Sequence, residues 1–550
     1  MNHAGASAGR RKSGEGALAL RMTMRAPNAA TSPDLPGGNA TETPALDPGA
    51  RLTPGSLARR VFSFPVFLGA LLVAGVFMNL GVRLQNDASL PAGHTHVAFL
   101  EGDTFWHIAA AQRLLATHTW PTTNFYSFTA PNSQWLDYQW LAEVPMAAAS
   151  HFGGPRGLMA LLAGMASLIL LLLYYYAYLH SGNVKAAIAA CIAVWPLLGL
   201  CFTLRPQLLG YVFLLIVMIF LERYRQGLQK SLWLLPGIFV LWVNTHGTFS
   251  FGILAVGVYW VAGLKKLQLG ELECHQWTPD RRRHLGVILF LCGLALLVNP
   301  YGPRLLYGLA EPFSQPLVMA YVDEWQPLAF NEFYGKWFLV LLFVFLLAPV
   351  LWRLRPRLEN MALVLIAAYM ACVHQRIVVF FAILIAPLLA VLIARWWPGY
   401  EAAKDKPILN AVLIVLFAAG LVAFFPSTAG LQRVIDLNQP RRAVDYLRRH
   451  PVPGPMFNDQ FWGGYLIWAF AGHPVFIDGR CDAYEPAGVF LDYIKIMRLD
   501  PDTLALLEKY GVRSCLIERS APLCTLLNSR PEWRRVYQDD LSVIYAKGLP

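Results

Sequence analysis

The feature that most constrains this chain is a series of apolar stretches, each near the length of a membrane-spanning helix. Spanning the hydrocarbon core takes roughly 20 apolar residues, fewer when the ends are anchored. On that basis spans are expected near 61–83, 157–179, 184–203, 206–221, 231–247, 248–264, 284–300, 336–352, 360–373, 377–395 and 408–425. The stretches at 231–247 and 360–373 are short, so the count of about eleven is open by about two. Composition agrees. Hydrophobic residues make up 56% of the chain and charged ones 14%, against about a quarter charged in soluble domains. The expectation is an α-helical polytopic membrane protein.

The net charge of +11 does not imply nucleic acid as a partner, because much of the excess lies in short loops between apolar stretches. There it sets topology, since Lys and Arg favour the cytoplasmic side. Arg59 and Arg60 precede the first span, which puts the N-terminus inside. Residues 1–60, rich in Ala, Gly, Pro, Ser and Thr, read as a disordered cytoplasmic segment without the shape of a cleavable signal. The inside loops then carry Arg223, Arg225, Lys230, Lys265, Lys266, Arg281–Arg283, Arg353, Arg355 and Arg357, and the outside loops are poor in both residue types. This places 84–156 and everything after 426 on the outer face. Residues 61–425 are the expected membrane domain, with 84–156 as a large first external loop. Residues 426–550 are the expected small extracytoplasmic α/β domain, with a helix at 441–449, short strands at 455–458, 475–478 and 515–518, and a hairpin around 538–540. No pair of the eight cysteines has zinc-ligand spacing, and one disulfide among Cys481, Cys515 and Cys524 stays open.

The chemistry-bearing residues gather in loops and at span ends assigned to the outer face. Leu100–Ile108 holds Glu101, Asp103 and, four positions on, His107. Arg205-Pro206-Gln207, Asn244-Thr245-His246-Gly247, Asn299-Pro300-Tyr301-Gly302, Asp323-Glu324-Trp325 and His374-Gln375-Arg376 fall on the same side. Ionisable groups beside spans are functional candidates by default. Each also has a plain reading. Glu101 and Asp103 can cap the helix that follows. Arg205 and Arg376 can snorkel to headgroups. His246 can be a core histidine, Asp323 and Glu324 a solvated pair, and Asn299-Pro300 a helix stop. The functional reading makes Asp103 a general base or a cation ligand, with Glu101 as second acid and His107 on the same helical face. Glu101 and Asp103 offer the oxygen ligands that Mg²⁺ or Mn²⁺ prefers. Arg205, His246, His374 and Arg376 would hold a phosphate, arginine through its two-pronged fork.

With these residues in hand, the chain resembles the GT-C superfamily of integral membrane glycosyltransferases, whose first external loop carries a DxD-like motif, here Glu101-Gly102-Asp103. Asp103-Thr104-Phe105-Trp106-His107 is similar to the matching segment in catalytic subunits of oligosaccharyltransferase. Phe457–Trp468, followed by Pro474–Asp478, is similar to the region of those subunits built around Trp-Trp-Asp-Tyr-Gly. Gly463 and Gly464 stand where that family has its acceptor-recognising Asp and a neighbour, so recognition of a peptide acceptor is not implied. The bland reading of the stretch is a buried helix with glycines for close packing. The wider pattern, which includes Asp478-Gly479-Arg480, resembles a broad group of bacterial GT-C-like membrane proteins.

The resemblance implies a GT-C fold and an inverting hexosyl- or pentosyltransferase of a bacterial inner membrane. It would take a polyprenyl-phosphate-linked sugar donor and a lipid, glycan or protein acceptor. Asp103, Glu101 and His107 would be catalytic. Arg205, His246, Asp323, Glu324, His374, Arg376, Trp462 and Tyr465 would bind substrate, and Glu101 and Asp103 would hold any metal. Two rivals are a flippase of lipid-linked glycans and a non-catalytic assembly protein. A flippase predicts polar groups reachable from both sides and pseudo-symmetric halves; the sequence shows clusters on one face and no internal repeat.

Overall fold

The structure is a computed structural model that describes residues 54–89, 100–266, 268–269, 272–310 and 315–548. The chain divides into two units, 1–57 and 58–550. The segment expected to be disordered lies, through residue 53, outside the described residues, as do residues 90–99 of the first external loop.

Each expected apolar stretch is helical: Phe64–Ser89, Trp140–Ser181, Val184–Leu198, Gln207–Arg225, Leu234–Val243, Phe249–Ala262, Pro279–Ala295, Phe333–Trp352, Leu358–Val373, Val378–Ile393 and Pro407–Ala423. Among the described residues, five helical stretches are long and apolar enough to cross a membrane alone. They are Phe64–Asn86, Trp140–Ser181, Gln207–Arg225, Phe333–Trp352 and Gln375–Ile393. Pro407–Ala423 with Thr428–Asp436, bent by 57°, is a sixth if counted as one span. The shorter apolar helices, Val184–Leu198, Leu234–Val243, Phe249–Ala262 and Leu358–Val373, rise only about 15–24 Å at 1.5 Å per residue, less than the hydrocarbon thickness. Irregular backbone at membrane depth is tolerated where protein buries it. The turn after Leu234–Val243 shows how: Asn244 donates from Nδ2 to Val240 O and Val298 O, both at 2.8 Å, and its carbonyl accepts from Leu141 N.

Local sequence explains the breaks. Trp140–Ser181 runs 42 residues but is interrupted at Gly154 (φ 52°), followed by Pro155. A left-handed residue and a missing N–H divide it into a shorter first segment and a long second one. Asn183 caps Val184–Leu198 by accepting from Lys185 N and Ala186 N. Val378–Ile393 is apolar on every side and almost wholly buried, as expected for a central helix. It packs on Val184–Leu198, Trp140–Ser181 and Leu358–Val373.

The C-terminal region carries a four-stranded sheet in the order Met456–Asn458, Ser514–Glu518, Ser542–Lys547, Trp533–Gln538. The first pair is parallel and the others antiparallel. The helix at 441–449 and the hairpin are present. The expected strand at 475–478 is not: Val475 makes one isolated bridge to Ser127. The side chain of Asn458 takes the place of a ladder neighbour, accepting from Phe476 N and donating to Ile477 O, both at 2.8 Å. Cys481, Cys515 and Cys524 are buried free thiols, so the disulfide left open does not form; they sit in a helix, a strand and a second helix.

What positions the site is a joint between two helices far apart in sequence, Gly102–Thr117 in the long segment between the first two spans and Gln460–Ala469 of the C-terminal region. Their backbones touch. A Cβ on Gly464 would overlap the Gly102 carbonyl and lie 3.1 Å from Trp106 Cδ1, and one on Gly102 would overlap the Phe461 carbonyl. Only glycine allows this approach. Phe105 then packs edge-on to Tyr465 at 5.0 Å and against Trp468 at 5.3 Å. Such pairs contribute about 0.5–1.5 kcal/mol beyond buried area.

Candidate functional site

Glu101 is the N-cap residue of the loop helix, but its side chain makes no capping hydrogen bond. Its carboxylate turns to Arg205 instead. Asp103 follows in the first turn, where the helix dipole favours negative charge. Its Oδ1 accepts from Trp106 Nε1 at 3.1 Å and its Oδ2 lies 2.9 Å from Arg205 Nη2. Thr104 Oγ1 donates to Leu204 O at 3.0 Å, tying the loop helix to the turn that presents Arg205.

Arg205 is the hub. Nη2 faces Glu101 and Asp103, and Nη1 donates to Glu324 Oε1. The other Glu324 oxygen lies 3.5 Å from Arg376 Nη1. Arg376 sits 4.5 Å over the Trp325 ring, and His374 Nδ1 is 2.7 Å from Trp325 O. Three carboxylates and two guanidiniums thus meet at one place, drawn from the 100s, 200s, 320s and 370s of the chain. Snorkelling does not describe either arginine, because both are committed to carboxylates.

Electrostatics separates the acids. Burial pushes the Glu101 carboxyl up, and Asp103 and Glu324 add to this, against the pull of Arg205. Burial also acts on Glu324, but Arg205, Arg376 and His246 outweigh it and hold that carboxyl below its ordinary value. Of these two, Glu324 is the more firmly charged and Glu101 the closer to holding a proton.

The remaining expected residues divide. His246 lies on the turn after Leu234–Val243 and accepts at Nδ1 from Thr248 N at 3.2 Å. Asp323 is exposed, and its backbone carbonyl accepts from Gln375 Nε2 at 2.5 Å. His107 has a different environment from Asp103. It is buried, 2.6 Å through Nδ1 from Glu143 Oε1, and burial with Arg205, His246 and Arg480 keeps it neutral well below the usual histidine range. Trp462 and Tyr465 are not brought to the cluster. Trp462 is buried with Nε1 donating to Asn438 O at 2.8 Å, and Tyr465 packs on Phe105. Asn299-Pro300 acts as a helix stop: Asn299 Oδ1 accepts from Tyr301 N at 2.8 Å.

For a metal, the chemistry of the donors decides. Both Asp103 oxygens already accept from Trp106 and Arg205, and Glu101 also faces Arg205. Among the described residues no group of three or more His, Cys, Asp or Glu side chains is arranged to hold a metal ion. As arranged, the Arg205 guanidinium engages both acids, so a cation held by Glu101 and Asp103 would share their oxygens with it.

Sequence reading missed several neighbours. Asp478-Gly479-Arg480, noted only as part of a wider pattern, forms a wall of the site. Gly479 faces the Asp103 carboxylate. Arg480 is buried and paired with Asp478 at 2.6 Å, and its guanidinium lies 4.4 Å over the Trp135 ring and 5.7 Å over Trp106, the indole that donates to Asp103. Trp106 carried no signal of its own beyond lying within the acidic motif.

No family model matches this chain, and no curated protein matches it. Among solved structures it is similar to the archaeal oligosaccharyltransferase AglB from Archaeoglobus fulgidus, in complex with an inhibitory peptide and a dolichol-phosphate. Identity is 11%, over 83% of this chain and 70% of that one, with a TM-score of 0.46. It is also similar to ArnT from Cupriavidus metallidurans in the apo state, at 14% identity over 86% of this chain and 97% of that one, with a TM-score of 0.45. For ArnT bound to undecaprenyl phosphate the identity and coverage are the same and the TM-score is 0.44.

Proposed function

We propose that this chain is a GT-C-type membrane glycosyltransferase that moves a sugar from a polyprenyl-phosphate-linked donor to an acceptor on the outer side of a bacterial inner membrane. The observation that carries the reading is the Arg205 hub: one guanidinium shared by Glu101, Asp103 and Glu324, with Arg376 on the far oxygen of Glu324. Spans with Lys- and Arg-rich loops on the opposite side from this hub support an outer-face site and a cytoplasmic N-terminus. The membrane domain is 61–425 and the extracytoplasmic domain 426–550 in this reading.

The step is a displacement at the anomeric carbon. The acceptor's O–H gives its proton to the Asp103 carboxylate as its oxygen bonds to that carbon. The bond from the anomeric carbon to the phosphate oxygen breaks with its electron pair, and polyprenyl phosphate leaves. Attack opposite the leaving group inverts configuration. Arg205 and Arg376 stabilise the charge that grows on the leaving phosphate, the kind of preplaced electrostatics that carries much of enzymatic rate enhancement. Trp106 and Arg205 fix the Asp103 carboxylate. No step is routed through a metal.

The test uses purified full-length protein in lipid discs and a labelled polyprenyl-phosphate sugar. Wild type is expected to release polyprenyl phosphate, and Asp103→Asn to lose about 10²–10⁴-fold in rate, the usual contribution of a positioned base. Full activity of Asp103→Asn removes this residue from the mechanism. Movement of intact donor across vesicles without release identifies a flippase instead.

A further inference from the structure

Glu324 is held in an arrangement that suits a different anion. Its two oxygens are divided between two arginines, Oε1 with Arg205 Nη1 and Oε2 with Arg376 Nη1. Guanidinium forks accept carboxylate and phosphate alike, with the same planar two-point geometry. The backbone around Glu324 is pinned on both sides, by Gln375 Nε2 on Asp323 O and by His374 Nδ1 on Trp325 O. The Glu324 side chain itself is one-third exposed, at 33%, on a three-residue turn of helix. It can swing out while its backbone stays. With Glu324 in place, the site holds three carboxylates, Glu101, Asp103 and Glu324, against Arg205 and Arg376. An incoming phosphate would find the inner faces of both guanidiniums taken by the Glu324 carboxylate, whereas one that replaces Glu324 inherits both.

From this geometry we infer that Glu324 is a place-holder: its carboxylate occupies the point between Arg205 and Arg376 that the phosphate of the lipid donor takes, and it leaves when that phosphate arrives. The inference rests on the phosphate-binding reading above and assigns Glu324 a role opposite to that of a substrate ligand. It competes with the donor and rejects weaker anions, since only an anion that gains more from two arginines than Glu324 does will displace it.

The experiment measures binding of sugar-free polyprenyl phosphate, inorganic phosphate and uncharged polyprenol to wild type, Glu324→Gln, Glu324→Asp and Arg376→Ala, all full length. Glu324→Gln is expected to bind polyprenyl phosphate roughly tenfold more tightly, the scale of one charge-assisted hydrogen bond no longer competed for. Glu324→Asp, too short to span both arginines, should fall between that variant and wild type, and Arg376→Ala should bind more weakly. Polyprenol affinity should not change. Unchanged or weaker binding of polyprenyl phosphate by both Glu324 variants, with Arg376→Ala still impaired, overturns the place-holder alone. Tightening for inorganic phosphate with no change for the lipid overturns the assignment to a lipid donor. Equal binding by wild type and Arg376→Ala overturns the phosphate reading itself.

Discussion

Gly479 faces the Asp103 carboxylate with no room for a side chain between them. A Cβ built on Gly479 would overlap Asp103 Oδ1 and lie 3.0 Å from Asp103 Cγ and 3.4 Å from Oδ2. Asp103, in the long segment between the first two spans, therefore rests directly on the backbone of the C-terminal region.

This contact predicts a specific pattern of couplings. Gly479→Ala should destabilise by about 1–3 kcal/mol, the range for forcing one extra carbon into a packed site. In an Asp103→Ala background the carbon has space, and the cost should mostly vanish. Thermal unfolding of the two single variants and the double variant forms a cycle whose coupling reports this contact. Additive losses would mean that Gly479 is needed for its backbone conformation and not for the space it leaves.

Arg205 is the second point of leverage. Removing one partner of a buried ion pair costs about 3–5 kcal/mol, but the groups here are one-fifth to one-third exposed, so solvent screening reduces this to about 1–3 kcal/mol. Arg205→Ala should show that loss at neutral pH and recover part of it in acid, where protonation of Glu101, Asp103 and Glu324 removes their mutual repulsion. Arg205→Lys should recover little, because an ammonium cannot fork between carboxylates on two sides. Melting temperature against pH for the three proteins checks both statements. A loss independent of pH would mean that Arg205 acts by packing.

The hub also governs cations. Arg205 takes up oxygens of both Glu101 and Asp103. Arg205→Ala should therefore bind Mn²⁺ more tightly than wild type, read by the loss of free-ion signal in electron paramagnetic resonance. Equal binding would place any cation away from these two acids.

Much of this was legible in the sequence, and the limits were physical. Span positions followed from apolar length, and the grouping of Glu101, Asp103, Arg205, Glu324 and Arg376 followed from charge topology, because each lies in a loop or at a span end that the positive-inside count assigns to one side. Partner identity did not follow. His107 sits four residues after Asp103 on the same helix, yet it pairs with Glu143, 36 residues away in sequence. Helical spacing gives a face, and tertiary packing decides what that face meets. Trp462 and Tyr465 read as ligands by resemblance to the region built around Trp-Trp-Asp-Tyr-Gly, but the same glycines and aromatics also suit a tight helix joint. Gly464 favours the joint: a Cβ there would overlap the Gly102 carbonyl and lie 3.1 Å from Trp106 Cδ1. Val475 read as a strand from its apolar neighbours, but an Asn458 side chain, invisible to periodicity, took up the backbone groups that a ladder would have used.

The base of that joint carries the last prediction. Asp459 caps the Gln460–Ala469 helix by accepting from Phe461 N at 2.9 Å, and it is buried. Burial raises its carboxyl from the ordinary 3.8 to about 6, the Phe461 amide pulling it down and Glu518 pushing it further up. The folded state therefore binds the proton more tightly than the unfolded one. Stability from this group is fully present below about pH 4 and is lost as pH rises through about 6, with a penalty near neutrality of about 3 kcal/mol. Asn keeps the cap and carries no charge. Asp459→Asn should thus melt higher than wild type at pH 7.5 and equally at pH 4, measured by thermal unfolding in the same detergent. A variant less stable at both pH values would show that the charged carboxylate is what the cap requires.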